Sequence, residues 1–311
     1  MLTLVEAAKL VDGDVKRQAV IEMFASSSDL LRVMPFEDIP GDSFSYSTEG
    51  ELPGVAFRGY NQGYDESTGI INNATEMLRI VGGDMDVDKA MIKTRGETVR
   101  STHEALKVKS IALSITGKII NGDSEANPLE FDGLRKRIVG DQLIGTTASN
   151  GSQTSGGDPL SIELLDDAID AVDNPTHLVM SKKMRNKLNV AARKNIGGDI
   201  VWDKDEFGTR IAYYNDLPIL VTDRDNENNP VIGFNEACPG GGTGGTSIYI
   251  VSFGPNMITG LQNGILEVED LGEIDAKPVY RTRLEWLVSF AAQHGRCAAR
   301  VWGIKNADVV S

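Results

Sequence analysis

From Thr94 to Asn121 the chain runs without a proline, and Gly96 and Gly117 are its only interior glycines. Val99, His103, Leu106, Ser110, Leu113, Gly117 and Ile120 recur at alternating steps of four and three, and Val108, Ile111, Ile115 and Ile119 form a second row beside them. This is the period of an amphipathic helix with a wide apolar stripe. Unbroken, it would be about 42 Å long at 1.5 Å per residue, with Asn121-Gly122 as its stop. A helix of this length is stabilised chiefly by what its stripe packs on. The rest of the chain must therefore supply a long apolar surface, and Val99, Leu106, Leu113 and Ile120 are the expected packing positions.

The segment ahead of it behaves oppositely. Residues 37–75 are rich in Gly, Ser, Tyr, Asn and Asp. Ser43–Ser47 and Val55–Tyr60 alternate around Glu49-Gly50-Glu51-Leu52-Pro53-Gly54, which reads as a hairpin with a polar turn. Nothing here could bury a core of its own, so the segment must lie on something else or stay unfolded. Arg58, Tyr60 and Tyr64 sit in it, and Arg and Tyr are favoured at interface hot spots. They are the candidate contacts to another subunit. Before it, Ala19–Leu31 is expected to form a short helix with Val20, Phe24 and Leu31 on one face, stopped by Pro35. After it, residues 76–92 alternate as one or two strands crossing Gly82-Gly83.

Beyond the long helix, Asn127–Val139 reads as a short basic helix and Gly145–Gly157 as a flexible boundary loop. From Asp158 the pattern becomes α/β. A helix capped by Asp158-Pro159 runs to about Val172, His177–Met180 is a buried strand, and Ser181 caps a helix over Lys182–Lys194. Ile211–Tyr214 and Pro218–Thr222 form a hairpin turning at Asn215-Asp216, and Ile248–Phe253 is another strand. Pro278–Phe290 and Cys297–Ile304 are long extended segments, expected with residues 76–92 to build one long sheet beside the helix.

The chain has 311 residues and a formal charge of −14. Residues 1–90 carry a net −9, residues 91–140 a net +3 and residues 141–311 a net −8. No basic stripe for gripping phosphate is evident, so if the protein encloses DNA it does so without gripping it. No apolar run is long enough to span a membrane, and the N-terminus lacks the pattern of a signal peptide. The two cysteines, Cys238 and Cys297, form no disulfide framework and fit a reduced cytoplasmic setting.

The motifs that suggest chemistry lack their context. Gly240–Gly245 matches a dinucleotide-binding pattern, but Ser247–Val251 after it reads as a strand, not the helix such a site needs. Asp84-x-Asp86-x-Asp88 begins like a calcium loop, but Lys89 and Arg95 stand where that loop needs Gly and Glu. His103, His177 and His294 have no ligand spacing, and no nucleophile elbow occurs. Asn73 and Asn150 match glycan acceptors, without a secretory signal to give them meaning. No catalytic, cofactor-binding or metal-binding residue is assigned, and the chain is expected not to be an enzyme.

The order of parts does carry a resemblance. A short arm, a β extension without a core, one long helix, a central α/β insert and a terminal pair of strands together resemble the major capsid proteins of tailed bacteriophages. Their α+β architecture, the Hong-Kong-97-type fold, is shared with encapsulins. The stretches Leu30–Ile39, Thr94–Asn121 and Val279–Leu287 with Ala298–Ile304 carry it most. The resemblance implies an N-terminal arm at 1–36, an extended loop at 37–75 lying over a neighbouring subunit, a peripheral domain at 76–140 and 276–311, and an axial domain at 141–275. It implies self-assembly into pentamers and hexamers of an icosahedral head around double-stranded DNA, with assembly in the host cytoplasm and residence in the virion. The expected partners are copies of itself, a separate scaffolding protein, a portal protein at one vertex and, optionally, a decoration protein. No cofactor and no membrane enter. Some members cross-link the extended loop through a lysine, but residues 41–88 contain none, so no such bond is expected. The competing readings are an encapsulin-type compartment, a small α/β enzyme and a tail-tube subunit.

Overall fold

In the computed structural model the described residues are 2–4, 6, 23–24, 27–96, 98–148, 151–194, 200–204 and 210–310. Much of the expected Ala19–Leu31 helix and part of the Gly145–Gly157 loop lie outside them. The first half contains β1 (Leu2–Thr3), α1 (Asp29–Val33), β2 (Pro35–Asp38), β3 (Ser43–Glu51), β4 (Ile70–Met77), β5 (Arg79–Asp88), α2 (Lys89–Arg95), α3 (Thr98–Asn121), α4 (Leu134–Arg137) and β6 (Leu143–Gly145). The second contains α5 (Ile162–Asp170), β7 (His177–Ser181), α6 (Lys182–Arg193), β8 (Ile200–Lys204), β9 (Arg210–Tyr214), β10 (Leu217–Thr222), β11 (Glu236–Ala237), β12 (Thr243–Val251), β13 (Ile258–Gln262), β14 (Glu267–Ile274), β15 (Lys277–Ala292) and β16 (Ala298–Lys305).

Two sheets organise these elements. The first runs β1-β2-β13-β15-β14, with β5 also on β15. One edge of β15 pairs with β5 from Val279↔Asp88 to Val288↔Arg79, and the other is divided between β14 and β13. The backbones of β5 and β15 approach so closely at Gly82 that a Cβ there would lie 2.1 Å from the Leu284 carbonyl oxygen. The second sheet runs β6-β16-β12-β7-β10-β9-β8, with β11 on β12.

The strand period of two divides the second sheet's side chains between two cores. Leu178, Ile248, Ile250 and Val301 join Leu165, Ile169, Met184 and Leu188 of α5 and α6. Val179, Tyr249 and Val251 face the other way, into a core with Val108, Ile111, Ile115 and Ile119 of α3 and with Leu284, Trp286 and Phe290 of β15. Trp286 is 2% exposed, meets Phe24 edge-on at 5.1 Å and donates its indole N–H to the Gly264 carbonyl at 3.2 Å. The second sheet also buries a charge pair, Arg300 and Glu236 at 2.7 Å, with Ser247 bonded to both. Such a pair survives burial because its hydrogen bonds offset desolvation.

Several expected elements differ from this arrangement. The long helix begins at Thr98, because Gly96 takes φ +86 and closes the separate helix α2. The strand over residues 76–92 ends at Asp88, whose carboxylate caps α2 by accepting the Ala90 N–H at 2.7 Å. Ser43–Ser47 pairs with Asn73–Met77 of β4, and Val55–Tyr60 belongs to no strand. The basic helix shrinks to Leu134–Arg137, and the helix expected from Asp158 starts at Ile162, after Ser161. Asp158 instead accepts the Thr154 hydroxyl at 2.6 Å. β15 and β16 enter different sheets, so residues 276–311 contribute to both. Ser181 does cap α6, and Asn215-Asp216 does turn the β9–β10 hairpin with positive φ at both residues.

Candidate assembly surfaces

The hairpin β3–β4 is a two-stranded sheet of its own. Its base rests on the outer face of the first sheet, where Ile39, Leu78, Leu261 and Ala291 form a small core flanked by Phe44, Tyr46 and Leu287. Arg137 of α4 clamps it there. Its guanidinium gives two hydrogen bonds to the Glu76 carboxylate, at 2.5 and 2.7 Å, and a third to the Asp132 carbonyl at 2.7 Å. The Tyr46 hydroxyl donates to Glu76 and has the Ala292 carbonyl within 3.2 Å. Burial, with the Glu76 charge, pushes the Tyr46 phenol up to about 12, so it stays protonated. Burial would discharge Arg137, but its bonds to Glu76 more than compensate. A forked guanidinium–carboxylate contact of this kind fixes direction as well as position.

Beyond this clamp the chain leaves the body of the molecule. Between the two strands, residues 52–69 have no regular structure and are exposed throughout. Leu52 is 74% exposed, Val55 93%, Phe57 105% and Tyr60 102%. Among the described residues only local bonds shape the tip: Arg58 lies over the Tyr64 ring at 5.3 Å and donates to the Gln62 carbonyl. Arg58, Tyr60 and Tyr64, the candidate contacts of the sequence, are thus together on this exposed tip. Leu52, Val55 and Phe57 are not among those candidates, although apolar residues in a segment with no core carry the same signal.

The second set of candidates divides. Ile120 is fully buried and Val99 and Leu113 are partly buried, but Leu106 is 59% exposed. Leu106 is therefore corrected from a packing position within the subunit to a surface residue. The centre of the stripe is the row Val108, Ile111, Ile115 and Ile119, and the row of Leu106 is its flank. Of the carboxylates that mimic a calcium loop, Asp88 caps α2 and the other two form ion pairs along β5 and β15. Asp84 meets Arg283 at 2.8 Å and Asp86 meets Arg281 at 2.7 Å. These arginine hydrogen bonds hold both carboxyls below their ordinary range. Among the described residues no group of three or more His, Cys, Asp or Glu could hold a metal ion. None of their helices is long and apolar enough to cross a membrane. Gly240–Gly242 leads into the strand β12, not into a helix.

Two sheets, a long helix packed in the core between them and an extension packed at its base but uncovered at its tip define a class by architecture, the Hong-Kong-97-type fold. Residues 12–162 match the family model of major capsid protein GP7, so over that part of the chain the sequence is similar to the bacteriophage major capsid type. No curated protein matches the chain in sequence. Among solved structures, the SrpI encapsulin of Synechococcus elongatus PCC 7942 superposes with a TM-score of 0.64 at 15% identity, covering 100% of this chain and 99% of the encapsulin. A structure from Mycobacterium phage Bobi gives 0.61 at 14% identity, covering 88% and 89%. The capsid of a native GTA particle gives 0.60 at 15% identity, covering 89% and 90%. These likenesses lie in the fold. The capsid assignment comes from the family match over residues 12–162.

Proposed function

We propose that the chain assembles into pentamers and hexamers of an icosahedral head that encloses the double-stranded DNA of a tailed phage. The observation that carries this reading is the tip at 52–69, whose apolar side chains find no cover within the subunit. Leaving Phe57, Val55 and Leu52 in water forgoes roughly 1.5–3 kcal/mol for each large side chain. A neighbouring copy supplies the missing surface, and closed symmetry repeats the contact around the shell. On this reading residues 37–75 are the extended loop, 1–36 the arm, 76–140 with 276–311 the peripheral domain and 141–275 the axial domain. Arg58, Tyr60 and Tyr64 contact the neighbour. A scaffolding protein guides closure, a portal occupies one vertex and a decoration protein is an optional addition. The net charge of −14 leaves the genome enclosed without being gripped. Assembly takes place in the host cytoplasm.

A second reading has a specific observation behind it, because the encapsulin superposes over the whole chain. The experiment that tests both is light scattering and electron microscopy of the purified protein, alone and with a candidate scaffold. Closed shells, rings or sheets are expected, and shells with DNA inside support the phage head. A protein cargo inside supports the compartment. A chain that stays monomeric even with scaffold rejects both.

A further inference from the structure

Two helices on the same face of the second sheet carry opposite charge. α5 rests against β16, and its charged residues are all acids: Glu163, Asp166, Asp167 and Asp170. α6 rests on β7, β10 and β8, and its charged residues are all bases: Lys182, Lys183, Arg185, Lys187 and Arg193. All four acids are exposed, as are Lys182, Lys183 and Arg193.

The patterns serve their own helices only in part: Glu163 in the first turn of α5 and Arg193 in the last turn of α6 sit where the helix dipole favours their sign, but the other charges do not. Glu163 and Asp167, Asp166 and Asp170, and Lys183 and Lys187 are like charges four residues apart, a spacing at which they repel. Lys182 and Lys183 occupy the first turn of α6 and Asp170 the last residue of α5, each at the end where the helix dipole disfavours its sign. Nor are the charges spent on each other. Among the described residues no ion pair joins α5 to α6. Asp166 accepts the Tyr214 hydroxyl, Lys187 donates to the Ala307 carbonyl, Arg185 and Lys183 lie over the rings of Trp202 and Phe234, and Arg296 binds the α5 carbonyls of Asp170 and Ala171. Among the described residues, Glu163, Asp167, Lys182 and Lys183 have no oppositely charged partner.

We infer that the acidic face of α5 docks on the basic face of α6 in a second copy of this chain, and that this head-to-tail contact links neighbours within a ring. It rests on the shell reading, which supplies the rings. A surface of one sign on each of two helices is what a heterologous contact needs, since each copy presents both halves and repetition closes a ring. Complementary charge also sets register and suppresses wrong pairings.

The test is charge reversal in the full chain. One variant carries Lys182→Glu, Lys183→Glu and Arg193→Glu, a second carries Glu163→Lys, Asp167→Lys and Asp170→Lys, and a third carries all six. Circular dichroism and thermal unfolding check the fold of each, and light scattering with electron microscopy measures the assembled fraction. Each triple reversal is expected to lower that fraction by at least about tenfold at low salt, and the six-fold swap to restore it. Should a reversal unfold the chain, Lys182→Gln, Lys183→Gln and Arg193→Gln probes the same face through a loss of salt dependence. Folded triple variants that assemble like the parent, or a folded swap that fails to recover, overturn this contact and leave the shell reading standing. A parent that never assembles defeats both.

Discussion

Tyr249 and Phe57 are both aromatic residues, and their surroundings are opposite. Tyr249, on β12, is 0% exposed between two flanking strands, with a core on its own face of the sheet and a second core behind it. Phe57, in the tip, is 105% exposed and touches no core. The second sheet is complete as a subunit, with its apolar residues divided between two cores. The extension is complete only at its base, where Arg137, Glu76 and Tyr46 hold it to the first sheet. Folding and assembly therefore draw on different residues, and substitutions should separate them.

The largest expected effect lies in the core. Trp286→Ala removes a side chain that packs on Phe24 and Phe36 and a hydrogen bond to Gly264. The cost should be about 3–5 kcal/mol, read as a lower midpoint in denaturant unfolding of the unassembled chain. A variant as stable as the parent would show that this core does not organise the subunit, and the comparison with the extension would fail.

An intermediate effect is expected at His177, which opens β7 and lies against Phe253 at 5.4 Å. Burial pushes its pKa down from 6.5 to about 4. As pH falls, the unfolded chain takes up this proton before the folded one does. The stability present above about pH 6.5 is thus lost between there and about pH 4. With an allowance for partial exposure the loss is about 2 kcal/mol. His177→Gln should flatten the unfolding free energy between pH 6.5 and 4.5, a window above the depressed carboxyls of Asp84 and Asp86. An unchanged slope would remove His177 as its source.

What the sequence shows of this division depends on the range of the interaction that decides each feature. Local features are legible. The Ser181 cap, the Asn215-Asp216 turn and the helical period of α3 are set by residues within a few positions of each other. Choices of partner are not. Alternation identifies β16 as a strand, but its place beside β12 is decided by a surface distant in sequence. The same limit explains the hairpin: Ser43–Ser47 looks able to pair with Val55–Tyr60, whereas its partner begins at Ile70. On α3 two apolar rows compete, and only the packed structure makes Ile115 central and leaves Leu106 on the surface. The exposed tip is legible as a segment without a core. The Arg137–Glu76 clamp is not, because nothing local joins residues 61 positions apart.

The smallest effect on stability should come from the tip, and there the comparison is sharpest. Leu52→Ser, Val55→Ser and Phe57→Ser together change only side chains that are already in water. Unfolding of the isolated subunit should move by no more than about 0.5 kcal/mol, whereas Trp286→Ala moves it several-fold more. Assembly should respond in the reverse order of that stability change. A neighbour's surface that meets three serines loses the apolar burial that the contact supplies, so light scattering should report subunits or small rings in place of shells. Normal shells from this folded variant would mean that the tip is not buried on a neighbour. The extension would then be a solvent-exposed arm, and its apolar residues would need another partner.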